Sequence, residues 1–349
     1  ENRNASGPFL VPVEQDLMAQ GIPTYEGTRR YLPLPIAVHL LGYLNGEGQG
    51  VSGLEYAYDD ILTASSDEAV VSCITSAQGR LLDGEAPTVT VQNRGTGEGV
   101  QLTLDADIQR LCEGVAGLSM PRGCIIVMDT QSGEVLACVS MPEYDPEDVS
   151  KSIRADDTSL INRAFSAFSA GSVFKVVLAA AAYENGLDWF AHECAGSVEV
   201  AGQAYRCAQG RAHGEVNLRG ALEQSCNCYF VELGQVLGGS AVLQEAEKFG
   251  FGQACAVAPG LKSSAGLLPD GAALDNLGQL ALFSFGQGNL SATPLQITAM
   301  MNTIASGGSY RPPRFVYGGV DEALQLVTPL QVPEAQRVCR EDTAQVLRD

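Results

Sequence analysis

The sequence predicts a two-domain α+β protein in which an antiparallel sheet, flanked by helices, encloses one central apolar helix. The chain has 349 residues, of which 45% are hydrophobic, enough for more than one domain with a real core. Residues 124–129 and 135–141 are apolar segments on either side of a Gln-Ser-Gly turn, a pattern typical of adjacent antiparallel strands. Residues 176–182 are apolar throughout, as expected of a helix in the centre of a core.

The other elements follow along the chain. Residues 1–104 mix helix and strand patterns punctuated by Gly and Pro, with a glycine-rich linker over 93–99, and form the first predicted domain; residues 105–349 form the second. Asp105 is placed to cap a helix whose apolar positions Ile108, Leu111 and Val115 predict one buried face. Further helices are predicted over 227–237 and 241–249, and from Pro294 onward.

The charge of the chain excludes several classes of partner. Lys and Arg number 21 against 41 Asp and Glu, a net charge of -20. Nucleic acids and anionic lipid surfaces are bound by basic patches, so we expect neither as a partner. No apolar run approaches the ~20 residues of a membrane-spanning helix.

The segment most informative about chemistry is Ser172-Val173-Phe174-Lys175, at the start of the apolar helix. Residues three apart on a helix share a face, so the amine of Lys175 can reach the hydroxyl of Ser172. A serine hydroxyl is a weak nucleophile, and an unprotonated amine beside it can take its proton. The apolar residues that follow favour that neutral form. By itself this short motif also fits an ordinary Ser–Lys pair on a helix surface.

A second motif, Ser225-Cys226-Asn227, supports a catalytic interpretation of the first. In an extended or loop segment alternate side chains point the same way, so Ser225 and Asn227 would face one cleft and Cys226 the interior. The combination of S-x-x-K with a second Ser/Asn motif is typical of penicillin-binding proteins and class A β-lactamases.

Several further segments resemble class B penicillin-binding proteins. They are residues 30–58, 100–109 and 132–137, Asn162-Arg163-Ala164, Gly286-Gln287-Gly288 and Thr293-Pro294-Leu295-Gln296. The resemblance extends over nearly the whole chain. It implies a penicillin-recognising serine transpeptidase fold over 105–349, preceded by a mixed α/β pedestal over 1–104. One departure is Ala170, where the family usually has Pro; this changes backbone rigidity and is not expected to abolish the chemistry.

The resemblance also implies a function, a D,D-transpeptidase that cross-links peptidoglycan without a cofactor. Ser172 would attack a D-Ala-D-Ala stem peptide, Lys175 would act as general base, Ser225 would relay the proton and Asn227 would hold the substrate amide. β-Lactams would acylate Ser172. The alternatives are a β-lactamase, against which the pedestal argues because lactamases have one domain, and a non-catalytic penicillin-binding sensor or scaffold.

The family further implies a place in the cell. We expect the protein at the extracytoplasmic face of the bacterial membrane, held by an N-terminal anchor that precedes this chain. A membrane glycosyltransferase and other proteins of the cell-wall complex are the expected partners.

The third motif of the family, K-T-G or K-S-G, has no match in the chain. Lys262-Ser263-Ser264 has Ser264 in place of the glycine and precedes Gly286-Gln287-Gly288, whereas the family's motif follows it. We therefore expect the motif beyond Asp349, and expect the 349-residue polypeptide by itself to be a poor catalyst.

Three cysteines and a histidine form a second candidate site: Cys194, Cys207, His213 and Cys226. Such a set is typical of closed structural zinc sites, although the spacings are longer than in zinc fingers. The segment 194–226 has few large apolar residues of its own, and some elongation-type members of the family carry zinc near the same loop. His192 could replace Cys194, and Cys228 could replace Cys226. A Cys194–Cys207 disulfide and unrelated free thiols are the alternatives.

Overall fold

A computed structural model describes residues 13, 15–20, 24, 30–64, 68–78, 82, 87–92, 97–155 and 157–349. The helices are α1 (Val38–Leu41), α2 (Gly53–Ala57), α3 (Asp59–Ala64), α4 (Ala106–Ser119), α5 (Val149–Ala155), α6 (Lys175–Glu184), α7 (Leu218–Glu223), α8 (Asn227–Leu237), α9 (Gly239–Lys248), α10 (Leu277–Ser284), α11 (Pro294–Ala305) and α12 (Glu341–Arg348). Short 3-10 turns cover Met18–Gln20, Gly171–Phe174, Ala208–Gly210 and Gly271–Asp275. Within these ranges, none of the helices is both long and apolar enough to cross a bilayer.

The strands alternate with these helices along the chain. They are β1 (Glu68–Ser72), β2 (Thr88–Gln92), β3 (Gly99–Leu102), β4 (Gly123–Met128), β5 (Val135–Met141), β6 (Ala191–Cys194), β7 (Ser197–Val200), β8 (Gln203–Arg206), β9 (Gly214–Asn217), β10 (Ala256–Ala258), β11 (Leu261–Lys262), β12 (Ser309–Tyr310), β13 (Val316–Val320), β14 (Leu326–Pro329) and β15 (Gln336–Arg337). The sequence correctly predicts β4, β5 and the starts of α8 and α11 to within a residue.

Antiparallel pairing connects distant parts of the chain. β4 pairs with β5 across the predicted turn, from Gly123 opposite Met141 to Met128 opposite Val135. β13 lies between β14 and β3 in a three-stranded antiparallel sheet. A strand that ends before residue 104 therefore shares a sheet with strands from the last forty residues or so of the chain.

The predicted central helix is confirmed. Seven of the ten residues of α6 are buried, and α8, α9 and α12 pack around it. The turn before it places Phe174 against the rings of Phe251 and Phe283. Because α6 is apolar on nearly every side, it can be enclosed by helices and anchor the core.

The cap of α4 is as predicted, but the predicted buried face is wrong. The carboxylate of Asp105 accepts hydrogen bonds from two backbone N–H groups of the first turn. Leu111 is 67% exposed and Val115 is 51% exposed. The helix instead buries the side chain of Gln109, whose Oε1 accepts from the backbone N–H of Cys138 in β5 at 2.7 Å. A side-chain to backbone contact therefore determines which face of α4 docks on the sheet.

A second apolar core joins residues 37–62 to later parts of the chain. Leu40 and Leu54 pack in one cluster with Val135, Leu295 and Phe315. The first predicted domain thus contacts the second over a shared apolar surface. Residues 93–96 of the predicted linker lie outside the described residues.

Candidate active site

The two serine motifs meet around the amine of Lys175. Ser172 lies in the turn Gly171–Phe174, and Lys175 is the first residue of α6. Ser225 lies in the connection between α7 and α8, and Asn227 is the first residue of α8. The Ser172 Oγ lies 3.2 Å from the Lys175 Nζ and 3.0 Å from the Ser225 Oγ. All four residues predicted from the sequence are therefore in one hydrogen-bonded group.

The contacts of the Lys175 amine can all be made by its neutral form. The Nζ lies 2.8 Å from the carbonyl oxygen of Ser225, 2.6 Å from the Oδ1 of Asn227 and 2.9 Å from the Ser225 Oγ, besides its contact with Ser172. The carbonyl and the amide oxygen can only accept, whereas the two hydroxyls can also donate. A neutral amine has two N–H groups for the two obligate acceptors and one lone pair for a hydroxyl proton.

Burial favours the same protonation state. Lys175 is 1% exposed. Burial lowers the pKa of Lys175 to about 8, against a smaller opposing effect of the nearby thiols of Cys207 and Cys226. Among the described residues, no carboxylate forms an ion pair with the amine. Roughly one tenth of the amine is therefore unprotonated at pH 7, from the titration of a single group.

The backbone at Ser225 separates two neighbouring side chains. Ser225 has a φ of 49°, in the left-handed region that residues other than glycine rarely adopt. Its side chain is exposed, whereas Cys226 is fully buried and accepts a hydrogen bond from the backbone N–H of Tyr229 at the start of α8. The predicted opposite directions of Ser225 and Cys226 are present, although they arise from a turn into a helix and not from an extended segment.

The amide of Asn227 is held at both ends. Its Oδ1 accepts from Lys175, and its Nδ2 donates to the carbonyl oxygen of Arg206 at 2.9 Å. The sequence analysis missed Arg206, because a backbone carbonyl leaves no mark in the residue pattern. Arg206 precedes Cys207 and Asn227 follows Cys226, so the hydrogen bond between them joins two residues that adjoin cysteines of the second candidate site.

The structure also brings the four predicted metal ligands together. We call Cys194, Cys207, His213 and Cys226 the thiol cluster; their ligand atoms all lie within 4.8 Å of one another. The Sγ of Cys207 is 3.7 Å from that of Cys194 and 3.8 Å from that of Cys226. The Nδ1 of His213 is 3.5 Å from the Cys194 Sγ.

These separations fit a tetrahedral zinc site. With Zn–S near 2.3 Å and Zn–N near 2.0 Å, ligand sulfurs lie about 3.8 Å apart and a sulfur–nitrogen pair about 3.5 Å apart. The three cysteines are buried. Burial opposes ionisation of Cys194, but hydrogen bonds from the backbone N–H groups of Gly196 and His213 and from neighbouring side chains outweigh it and lower the pKa of Cys194 to about 6. The donor set and its spacing therefore suit zinc.

The alternative ligands and pairings are less well placed. The group that can hold a metal includes Cys194 and Cys226, and neither His192 nor Cys228 belongs to it among the described residues. Cys228 is nevertheless close, with its Sγ 3.5 Å from that of Cys207. The Cys194–Cys207 disulfide considered above is not formed, and all ten cysteines are free thiols in the structure.

Comparison with known proteins agrees with the fold and with the family resemblance. The family described as "Penicillin binding protein transpeptidase domain" matches residues 123–349. Stage V sporulation protein D of Bacillus subtilis is 30% identical over 346 residues, 94% of this chain and 51% of that protein. The peptidoglycan D,D-transpeptidase FtsI of Escherichia coli is 28% identical over 325 residues, covering 89% of this chain and 54% of that protein.

A solved structure shows the same likeness. The crystal structure of penicillin-binding protein 3 from Mycobacterium tuberculosis, complexed with aztreonam, has a TM-score of 0.70 and 31% identity, covering 90% of this chain and 66% of that one. The chain belongs to the penicillin-binding protein transpeptidase family. It spans about half the length of the curated relatives named above.

Proposed function

We propose that this protein is a peptidoglycan D,D-transpeptidase that acts through a Ser172 acyl-enzyme. The observation that carries the proposal is the surroundings of the Lys175 amine: two obligate acceptors, two hydroxyls and no described carboxylate partner. Relatives named as peptidoglycan D,D-transpeptidases support the substrate class. The neighbouring structure with bound aztreonam supports recognition of β-lactams.

In the first half of the reaction, the Ser172 hydroxyl transfers its proton to the neutral Lys175 amine as its oxygen attacks the carbonyl carbon of the penultimate D-Ala. The backbone N–H of Ser172 supplies one donor to the developing oxyanion. The Ser225 hydroxyl, in contact with both Ser172 and Lys175, donates its proton to the leaving nitrogen as the C–N bond breaks and takes the proton held by Lys175 in its place. Free D-Ala departs, and the acyl group stays on Ser172.

In the second half, an amine from a neighbouring peptidoglycan strand attacks the ester carbon and Ser172 is released with its proton restored. The Oδ1 of Asn227 has a second lone pair besides the one used by Lys175, and it accepts an N–H of the bound peptide. These steps use only side chains of this chain and no cofactor.

The test is covalent labelling with benzylpenicillin of the full-length protein, with the third motif expected above, followed by mass spectrometry. We expect one adduct per chain, absent in Ser172→Ala, and an acyl-enzyme that persists for hours. An adduct that remains in Ser172→Ala would overturn the assignment of the nucleophile. Turnover of the adduct within a second would favour a β-lactamase, and absence of any adduct would favour a non-catalytic role.

We also propose that the thiol cluster binds one structural zinc ion. The ligand spacing, the burial and the lowered pKa of Cys194 support this. When bound, zinc would cross-link β6, the segment after β8 and the start of α8 and so brace the loop that carries Ser225 and Asn227 from behind. Elemental analysis of protein purified without chelator should find one zinc per chain. No zinc, together with a Cys194–Cys207 cross-linked peptide in a non-reducing digest, would support the disulfide.

We place the protein at the extracytoplasmic face of the membrane, beside a glycosyltransferase that makes the glycan strands it cross-links, because its proposed substrate lies there. We also keep the domain boundary at 104/105 as a proposal. Affinity purification from membranes tests the partner, since recovery of a glycosyltransferase is expected. Limited proteolysis tests the boundary, since the first cuts are expected in the predicted glycine-rich linker over 93–99.

A further inference from the structure

The strand β8 is held in place on both sides of Arg206. It pairs with β7, with Arg206 opposite Ser197. Tyr205 is buried, and its hydroxyl donates a hydrogen bond to the carbonyl oxygen of Gly278 at 3.1 Å. Cys207 is buried in the thiol cluster. Successive side chains of a strand point to opposite faces, so the side chain of Arg206 lies on the outer face, where it is exposed. Its backbone is therefore fixed while its guanidinium is open to ligands.

Arg206 adjoins the group of residues around the Lys175 amine. Its carbonyl oxygen accepts from the Nδ2 of Asn227 at 2.9 Å, and the Oδ1 of Asn227 lies 2.6 Å from the Nζ of Lys175. Asn227 is the residue that we propose to hold an amide of the acyl donor. An extended peptide advances about 3.3–3.6 Å per residue, so the group that precedes this amide in the donor lies within reach of a long arginine side chain.

The guanidinium of Arg206 has no anionic partner within the described part of the chain. None of the ion pairs there includes Arg206, and the hydrogen bond to Asn227 uses only its backbone carbonyl. The chain as a whole has a net charge of -20, so an exposed, unpaired cation beside the reactive residues is distinctive. The planar fork of N–H donors on a guanidinium matches the two oxygens of a carboxylate.

We propose that Arg206 is a specificity-determining residue that binds a carboxylate of the acyl donor, on the residue that precedes the amide held by Asn227. The inference rests on the proposed function and adds a preference for an acidic donor to it. Asn227 holds a backbone amide, which every peptide has, whereas Arg206 distinguishes donors by the charge of the neighbouring group. Because β8 carries Arg206 and α8 carries Asn227, the two contacts come from separate elements joined by one hydrogen bond.

The test compares two penicillins that differ by one carboxylate, on the full-length protein with its third motif. Carbenicillin is benzylpenicillin with an added carboxylate on the carbon between its phenyl ring and its side-chain carbonyl. The measured quantity is the ratio of the second-order rates of Ser172 acylation, carbenicillin over benzylpenicillin. In Arg206→Gln, we expect this ratio to fall roughly two- to fivefold below that of wild type, the effect of one exposed ion pair.

Three further measurements sharpen the comparison. Arg206→Lys keeps the charge without the planar fork and should retain part of the wild-type ratio. Added salt screens an exposed ion pair, so it should lower the wild-type ratio toward that of Arg206→Gln. Arg211→Gln removes the same charge from another exposed arginine that follows β8, and this matched control should retain the wild-type ratio.

The outcomes separate this inference from the one on which it rests. If Arg206→Gln slows both penicillins equally, or neither, Arg206 does not bind the carboxylate and the proposal is overturned while the Ser172 assignment stands. If Arg211→Gln lowers the ratio as much as Arg206→Gln does, the cause is the overall charge of this face and not a contact, which also overturns it. If the wild-type full-length protein forms no Ser172 adduct, both proposals are overturned. Damage to the reactive residues would slow both penicillins and so leave the ratio unchanged.

Discussion

Ser225 and Cys226 are neighbours in sequence but belong to two different kinds of site. On one side of the segment, exposed Ser225 joins Ser172, Lys175 and Asn227 in a network of oxygen and nitrogen hydrogen bonds. On the other side, fully buried Cys226 joins the thiol cluster, whose sulfur atoms are spaced like metal ligands. We propose that the first side moves a proton and that the second, with zinc bound, holds the chain in place.

The contrast shows how a short segment can couple chemistry to structure. The backbone is left-handed at Ser225, and α8 begins at Asn227. Within these three residues the side chain of Ser225 is therefore directed to the surface and that of Cys226 to the interior. The orientation of the Asn227 amide depends on the carbonyl oxygen of Arg206, and Arg206 adjoins Cys207. The position of the thiol cluster therefore affects the position of the Asn227 amide. Variants on the two sides should therefore fail in different ways.

The largest effect is expected from Lys175→Arg on the reactive side. Arg is protonated at every accessible pH and cannot accept the Ser172 proton, so acylation by benzylpenicillin should slow by about two to four orders of magnitude. Intact-mass time courses measure this, with circular dichroism as the check on folding. Acylation within a few-fold of wild type would mean that Lys175 is not the base.

The rate of Ser172 acylation should depend on pH through the titration of the Lys175 amine. The reactive form of Lys175 is neutral, and the pKa is lowered to about 8, so the second-order rate should rise with pH and level off above that value. At pH 6 roughly one hundredth of the amine is neutral, and at pH 7 roughly one tenth, from the titration of a single group. Stopped-flow acylation over pH 5.5–9.5 (roughly the range in which most proteins of this kind stay folded) checks this. A flat profile would contradict it.

On the buried side, Cys207→Ser should abolish zinc binding and act on the reaction only indirectly. Loss of a ligand from a closed site loosens the segment that holds Asn227, so we expect a fall of roughly tenfold in acylation and a lower melting temperature. Added zinc should restore neither, whereas chelation of wild-type protein should reproduce both effects. Unchanged acylation in zinc-free protein would show that the two sides are independent.

The smallest effect is expected from Cys228→Ala, compared with Cys226→Ala. Cys228 is buried and close to Cys207 but lies outside the metal-binding group, so its loss removes only packing atoms. Zinc content should remain one per chain in Cys228→Ala and fall to zero in Cys226→Ala. The reverse result would assign the fourth ligand to Cys228.

The helix α4 shows where sequence periodicity misleads. Its apolar positions are spaced for one buried face, yet Leu111 and Val115 are exposed and Gln109 is buried. The pattern records which residues are apolar, but the docked face is decided by Gln109. Its side-chain Oε1 accepts the backbone N–H of Cys138, where a neighbouring strand would have supplied a carbonyl oxygen. Periodicity carries no information about such a pairing across the sheet.

The residues of the two serine motifs and the members of the thiol cluster could all be picked out from the sequence, because each set is recognisable from its residue types and their spacing. Tertiary structure alone decided three things: that the amine of Lys175 has two obligate acceptors and no described counter-ion, that the carbonyl of Arg206 orients Asn227, and that Cys226 and not Cys228 completes the thiol cluster. The physical reason is that hydrogen-bond geometry, burial and ligand spacing depend on segments far apart in the chain, and only folding brings those segments within reach of one another.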